Sequence, residues 1–242
     1  MKILYPDKIS TVSVSSEDTD FHKYNISDDY RGHYWQATTA SLATVTLGIS
    51  ANSNTIALSN TNSASVSIEI KDSGDSTIYG PTSHNVDSEK PDLWVDYTLQ
   101  SGAATAILAF ADPGSIAPYC GIVRAGYSYE FMNPKYGFSE GLKDLSIEKS
   151  LNNGALYYKK RSIARIFSGS FDVERDSDFY TFMHTIVMQF GKRPMFWRLT
   201  DLDNMDWVVF ARLTKMPGGT HSFFSHSKIT IALIEDILGE TS

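Results

Sequence analysis

Hydrophobic and polar positions alternate with a period of two over much of the first half of the chain. In Thr44-Val45-Thr46-Leu47-Gly48-Ile49 the residues Val45, Leu47 and Ile49 fall on one face, and in Ser65-Val66-Ser67-Ile68-Glu69-Ile70 the residues Val66, Ile68 and Ile70 do the same. Successive side chains of a strand point to opposite faces, so this pattern predicts strands with one face buried. Thr55 to Leu58, Leu93 to Leu99 and Ala106 to Phe110 supply further strands. Between them, 59–63 (Ser-Asn-Thr-Asn-Ser) and 71–76 (Lys-Asp-Ser-Gly-Asp-Ser) carry turn chemistry: short polar side chains satisfy local backbone groups, and glycine permits positive φ. Short strands at this spacing, with no amphipathic helix among them, predict an antiparallel β-sandwich.

The texture then changes. Two prolines and a glycine within Asp112 to Pro118 break any regular element, and the boundary is placed there, giving domains at 1–121 and 122–242. Beyond it, Phe179, Phe182, Met183, Ile186, Val187 and Phe190 recur at helical spacing and predict one helix over 176–190, capped by Asp176 or Ser177 and stopped at Gly191. Strands are expected at 142–148, 155–158 and 162–171 before it, and at 194–199, 206–213 and 227–235 after it. The fold class is therefore mainly β: an N-terminal antiparallel β-sandwich, and a C-terminal β-sandwich or barrel with one α-helix.

Charge sharpens the division. The formal net charge is −7, and residues 1–124 hold 7 Lys and Arg against 14 Asp and Glu, so the C-terminal part is neutral. An acidic half is a poor partner for nucleic acid, where phosphate attraction dominates. The single cysteine, Cys120, excludes a disulfide framework and a multi-cysteine zinc site, and reads as a structural thiol. No run approaches the roughly 20 apolar residues of a membrane helix. The start, Met1 to Asp7, lacks the apolar stretch of a signal peptide, so the expectation is a soluble chain made without an export signal.

The candidate chemistries fail on spacing. Gly74-Asp75-Ser76 has the look of a hydrolase nucleophile block, but the required aspartate three residues before a C-terminal histidine is Gly218 for His221 and Phe223 for His226. Asp201 to Asp206 has the carboxylate density of a calcium loop, yet Met205 takes a ligand position, Asp206 stands where glycine is needed and Arg212 where glutamate is needed. It reads as a hairpin tip, open to an adventitious cation. His184 lies one position past the helical stripe, and Lys159-Lys160-Arg161 reads as a solvated face. No cofactor and no catalytic residue is expected, and the chain is read as a non-enzyme.

Two stretches resemble bacteriophage virion proteins. Asn25-Ile26-Ser27-Asp28-Asp29-Tyr30-Arg31-Gly32-His33-Tyr34-Trp35-Gln36-Ala37, with the strands that follow, resembles the discoidin or galactose-binding-like jelly roll of phage tail-associated proteins. Arg165 to Phe171, the helix, Pro194 to Trp197 and Asp206 to Arg212 together are similar to the sandwich-plus-helix domain of tail tube and distal tail proteins. In many distal tail proteins the ring-forming domain comes first; here it comes second, which leaves tail tip, neck, collar and fibre attachment all open. The resemblance implies a virion tail protein made in the host cytoplasm, partnered by other tail proteins and by its own copies in a ring. Tyr157, Tyr158, Trp197 and Trp207 are the expected assembly interface. The alternative is a carbohydrate-binding module for a host surface glycan, with Tyr34, Trp35 and Trp94 stacking on sugar and Asp28 and Asp29 binding hydroxyls.

Overall fold

The computed structural model describes residues 1–86, 92–111, 116–135, 137–150, 156–174, 177–200, 207–221 and 226–236. The helix cap Asp176, most of the proline-glycine linker, the 201–206 carboxylate loop and Phe223 lie outside them.

The chain packs as two units, and the first comprises Lys2–Glu130 together with Phe196–Arg198. It contains β1 (Lys2–Asp7), β2 (Ile9–Val14), a 3₁₀ turn (Lys23–Ser27), β3 (Trp35–Gln36), β4 (Ala43–Ile49), β5 (Ser53–Thr61), β6 (Ser65–Asp72), β7 (Thr77–Asn85), β8 (Leu93–Gln100), β9 (Ala104–Ala111) and β10 (Tyr119–Glu130). One antiparallel sheet runs β2-β4-β9-β6-β7. In the other, β8, β5, β10 and β1 lie side by side, with β3 also on β10. The alternation is realised: Val45, Leu47 and Ile49 of β4 and Val66, Ile68 and Ile70 of β6 are buried, joined by Leu108 and Phe110 of β9, and all share one core with Ile56, Leu58, Val95, Val123 and Ala125 of the facing sheet. This is a jelly-roll-like sandwich. Cys120 is buried and free in that core, and burial pushes its thiol far up. The Gly74 to Ser76 block is the turn from β6 to β7: Gly74 and Ser76 donate their backbone N–H to the Asp72 carboxylate at 2.8 and 2.9 Å, and Asp75 sits at φ +65°.

The boundary expected at 121/122 falls inside β10. That strand is paired on both sides, to β5 and to β1, so the first unit runs on to Glu130. It also takes in part of β15 (Met195–Arg198), which pairs with β1 in the register Ile3↔Trp197 and Lys2↔Arg198.

The second unit holds Phe131–Met195 and Leu199–Ser242, with Met1. Its sheet carries β11 (Ser139–Asp144), β14 (Ile163–Glu174), β18 (His226–Glu235) and β16 (Val208–Leu213) in that order, with the short β17 (Gly218–Thr220) also on β18. The strand expected over 142–148 is divided, because Ser146 turns back onto the Asp144 carboxylate, and β12 (Ile147–Ser150) pairs with β13 (Leu156–Lys159) as a separate hairpin. The predicted helix is present at 178–190, with a π-helical middle over Thr181–Val187. Phe182, Ile186 and Val187 are its buried residues, while Phe179, Met183 and Phe190 are half-buried. Phe182 packs edge-on against Phe171 of β14 and against Phe131, with ring centroids 5.3 and 5.5 Å apart. The Ser177 carbonyl accepts the Thr181 N–H at 3.0 Å but its side chain makes no capping bond, and Gly191 ends the helix at φ +65°.

Candidate functional site

The segment between β2 and β4 is the most elaborate surface of the first unit. It is non-periodic and rich in Asp, Ser and aromatic residues, and it is fastened from beneath at three points. Arg124, buried on β10, donates to the carbonyls of Ile26 and Asp28 and reaches the Asp29 carboxylate at 3.1 Å and that of Asp7 at 3.6 Å. Its planar fork suits several oxygens at once. Arg31 forms a buried ion pair with Asp92 at 3.1 Å, and Asp92 also accepts the Ser59 hydroxyl. Trp35 donates its indole N–H to the Ser16 carbonyl at 3.0 Å and packs on Phe110.

Held in this way, the loop displays Tyr24, 60% exposed, and Tyr30, 51% exposed. Each has an imidazole against its ring and a carboxylate behind the imidazole. His22 stacks on Tyr24 at 5.0 Å and pairs with Glu17 at 3.1 Å; His33 lies against Tyr30 at 4.7 Å and pairs with Asp28 at 2.6 Å. A carboxylate that fixes one ring nitrogen fixes the direction of the other. The Lys23 ammonium also lies over the Tyr24 ring, 5.3 Å from its centroid.

The expected sugar-stacking residues are redistributed. Trp35 is wholly buried and Trp94 is 92% buried with its indole N–H on Asp96, so neither offers a ring face to a ligand. Tyr34 is half-buried between Phe21 and Tyr119, with centroids 4.6 and 4.9 Å away. Asp28 and Asp29 are on the loop, but Asp29 is engaged by Arg124 and Asp28 by His33 and by the Tyr30 backbone N–H at 2.6 Å. The tryptophans belong to the core because a large ring beside a strand start is where a sandwich needs volume. Tyr24 and Tyr30 share their non-periodic polar stretch with Phe21, Tyr34 and the buried Trp35, so no pattern in the sequence separates the exposed rings from the covered ones.

The expected assembly residues also separate. Trp197 is wholly buried beside Ile3, and Trp207 is half-buried against Phe138 and Phe167, so neither is a free surface. Tyr157 and Tyr158 are at the surface, with Leu156, on β13; the three are 47, 60 and 69% exposed. Among the described residues the hairpin pairs with no other strand, and Leu142 and Ile163 nearby are also exposed. Its base is tied by the Arg161 backbone N–H to the Ser146 hydroxyl at 2.9 Å. Lys159, Lys160 and Arg161 are exposed at its end, and Arg165 is turned away to Glu235 in a two-pronged pair at 3.0 Å. His184 is exposed on the helix and stacks on Tyr180. His221 bonds Ser227, which is itself buried. Among the described residues no three His, Cys, Asp or Glu side chains gather to hold a metal, and no helix is long and apolar enough to cross a membrane.

No family model matches the chain, and no curated protein matches it. Solved structures similar to it include reduced XRCC1 bound to the DNA polymerase β catalytic domain, at 14% identity over 50% of this chain and 97% of that one, with a TM-score of 0.40. A chitosan-binding module from a Paenibacillus sp. IK-5 chitosanase/glucanase matches at 12% identity over 50% and 98%, with a TM-score of 0.41. The module CpGH89CBM32-5 of Clostridium perfringens, solved with GalNAc-β-1,3-galactose, matches at 11% over 48% and 94%, with a TM-score of 0.39. At this level no ligand of theirs transfers to this chain.

Proposed function

We propose that the chain is a non-enzymatic, β-rich structural protein that assembles with copies of itself and with other protein chains, as a component of a bacteriophage tail. The β12–β13 hairpin supports the assembly part of this reading, and the bacteriophage tail rests on the sequence resemblance alone. A two-stranded hairpin is marginal by itself in water, and this one exposes Leu156, Tyr157 and Tyr158 together. Exposed aromatic residues on a surface element that pairs with no other strand among the described residues suit a protein interface. Light scattering of the purified protein is expected to give a mass above one chain, and Tyr157→Ser with Tyr158→Ser to reduce it to one. A monomeric wild type that never enters a particle would overturn the reading.

A second reading has its own support, the braced loop with exposed Tyr24 and Tyr30. It makes the first unit a recognition module for a surface glycan, the sugar's apolar face lying on a tyrosine ring and its hydroxyls meeting the imidazole and carboxylate groups. A glycan array probed with the full chain tests it, and silence across the array would overturn it.

A further inference from the structure

The sheet edges of the first unit are unequal. We infer that β2 is a second assembly surface, where the β2 strands of two copies pair antiparallel about a two-fold axis and join their five-stranded sheets; this rests on the self-assembly reading above. β2 pairs with β4 on one side and with no other described strand. Edge strands are ordinarily blunted by charge or proline, because open N–H and C=O groups recruit another strand. At the far edge of the same sheet, β7 has Pro81 near its middle, with no N–H to offer, beside Gly80 at φ +76°. β11 has Glu140, Lys143 and Asp144 among its six residues, and β8 has Asp96. β2 has neither device: it reads Ile-Ser-Thr-Val-Ser-Val, uncharged, with four of its six residues β-branched. Ser10, Thr11 and Ser13 are exposed, while Ile9, Val12 and Val14 pack toward the core.

The strand is also its own complement. The uncharged run extends to Ser16, with Lys8 before it and Glu17 after it, and the Ser15 N–H still bonds the Thr44 carbonyl of β4 at 2.9 Å. An axis between Val12 and Ser13 sets Ile9 opposite Ser16 and Thr11 opposite Val14, and brings each Lys8 to the other copy's Glu17. Glu17 takes the Lys23 N–H and the His22 ring through Oε1, which leaves Oε2 for that ammonium. Opposite charges then meet at both ends and none in between, which favours a second copy as the occupant. A six-residue pair is small beside the roughly 1,600 Å² of a stable interface, so this contact doubles an assembly that the hairpin already holds and does not form one alone.

The experiment is light scattering of the full chain carrying Ser13→Lys or Ser13→Glu. Ser13 is exposed beside the axis, so each variant sets like charges against each other. Each should lower the mass by about half at an unchanged unfolding midpoint, since a two-fold contact doubles an assembly. An equimolar mixture of the two should restore the wild-type mass, because lysine then faces glutamate. A wild type of one chain would overturn the self-assembly reading and this contact with it. A larger wild type whose mass neither variant changes would overturn the β2 contact alone. Lowered masses that the mixture fails to restore would overturn the second copy as occupant and assign the edge to a different strand.

Discussion

Arg124 carries the largest single consequence of any residue in the first unit. Its buried guanidinium gathers three carbonyls, of Ile26, Asp28 and Val123, and two carboxylates, and removing it takes their shared donor from all of them. Arg124→Ala is expected to cost about 3–5 kcal/mol in urea unfolding, the range for breaking a buried pair from one side. Arg124→Lys should recover only part of that, because an ammonium cannot span the same acceptors. Asp96 gives a pH signature. Burial pulls its carboxyl upward, but hydrogen bonds from Lys2 at 2.8 Å, Trp94 at 2.8 Å and Thr55 at 2.9 Å, with the Lys2 charge, outweigh it and hold the group below its ordinary value. The folded state thus binds this proton less readily than the unfolded one. The stability from Asp96 is present above pH about 4 and is lost as the pH falls through the lowered folded value. Asp96→Asn should be destabilising at pH 7, by about 1–2 kcal/mol, and its difference from wild type should shrink on acidification, read from unfolding at pH 7 and pH 3.

Among the elements, legibility followed the number of covered faces. Strands β4 and β6, covered on one face, kept a clean alternation and were predictable from Val45 to Ile49 and Val66 to Ile70. Strand β10 carries a run from Cys120 to Gly126 that is buried throughout, so period two vanishes, and its nearness to the proline-glycine stretch made it read as the start of a new domain. The helix was legible because six apolar residues shared a stripe. Its π-helical middle was not, since the wider turn changes which of them are buried, Phe182, Ile186 and Val187, without changing the residue types. The loop site was half legible: the Asp28–Asp29 segment could be picked out, but which aromatics face outward depends on Trp35 and Trp94 filling the core, a matter of packing. The helix end supplies a clean test. Gly191 adopts φ +65°, ψ −126°, with open space where a Cβ would go, so Gly191→Ala should cost about 1–3 kcal/mol from backbone strain alone, measurable by denaturant unfolding.

For the whole molecule, the sequence division and the structural division answer different questions. Net charge changes sign of emphasis near residue 124 because carboxylates cluster on the N-terminal sandwich, whereas compactness is decided by strand pairing, and pairing returns to that sandwich at Phe196–Arg198. The returning strand is not peripheral. Trp197 is wholly buried opposite Ile3, and Arg198 comes within 3.6 Å of the same Asp96 carboxylate that Lys2 holds. A fragment of residues 1–130 would lack all of this and leave β1 with an unpaired, apolar edge, the arrangement that invites strand-to-strand association. Losing the Trp197 ring is of the same kind as a core truncation, about 3–5 kcal/mol, a large share of what a domain of this size has in hand. The fragment should therefore unfold at markedly lower urea than the full chain, or precipitate, and addition of a peptide covering 194–200 should shift its midpoint upward. A soluble fragment matching the full chain's own sandwich transition would show that β15 adds little, and that the two units are separable at Glu130 after all.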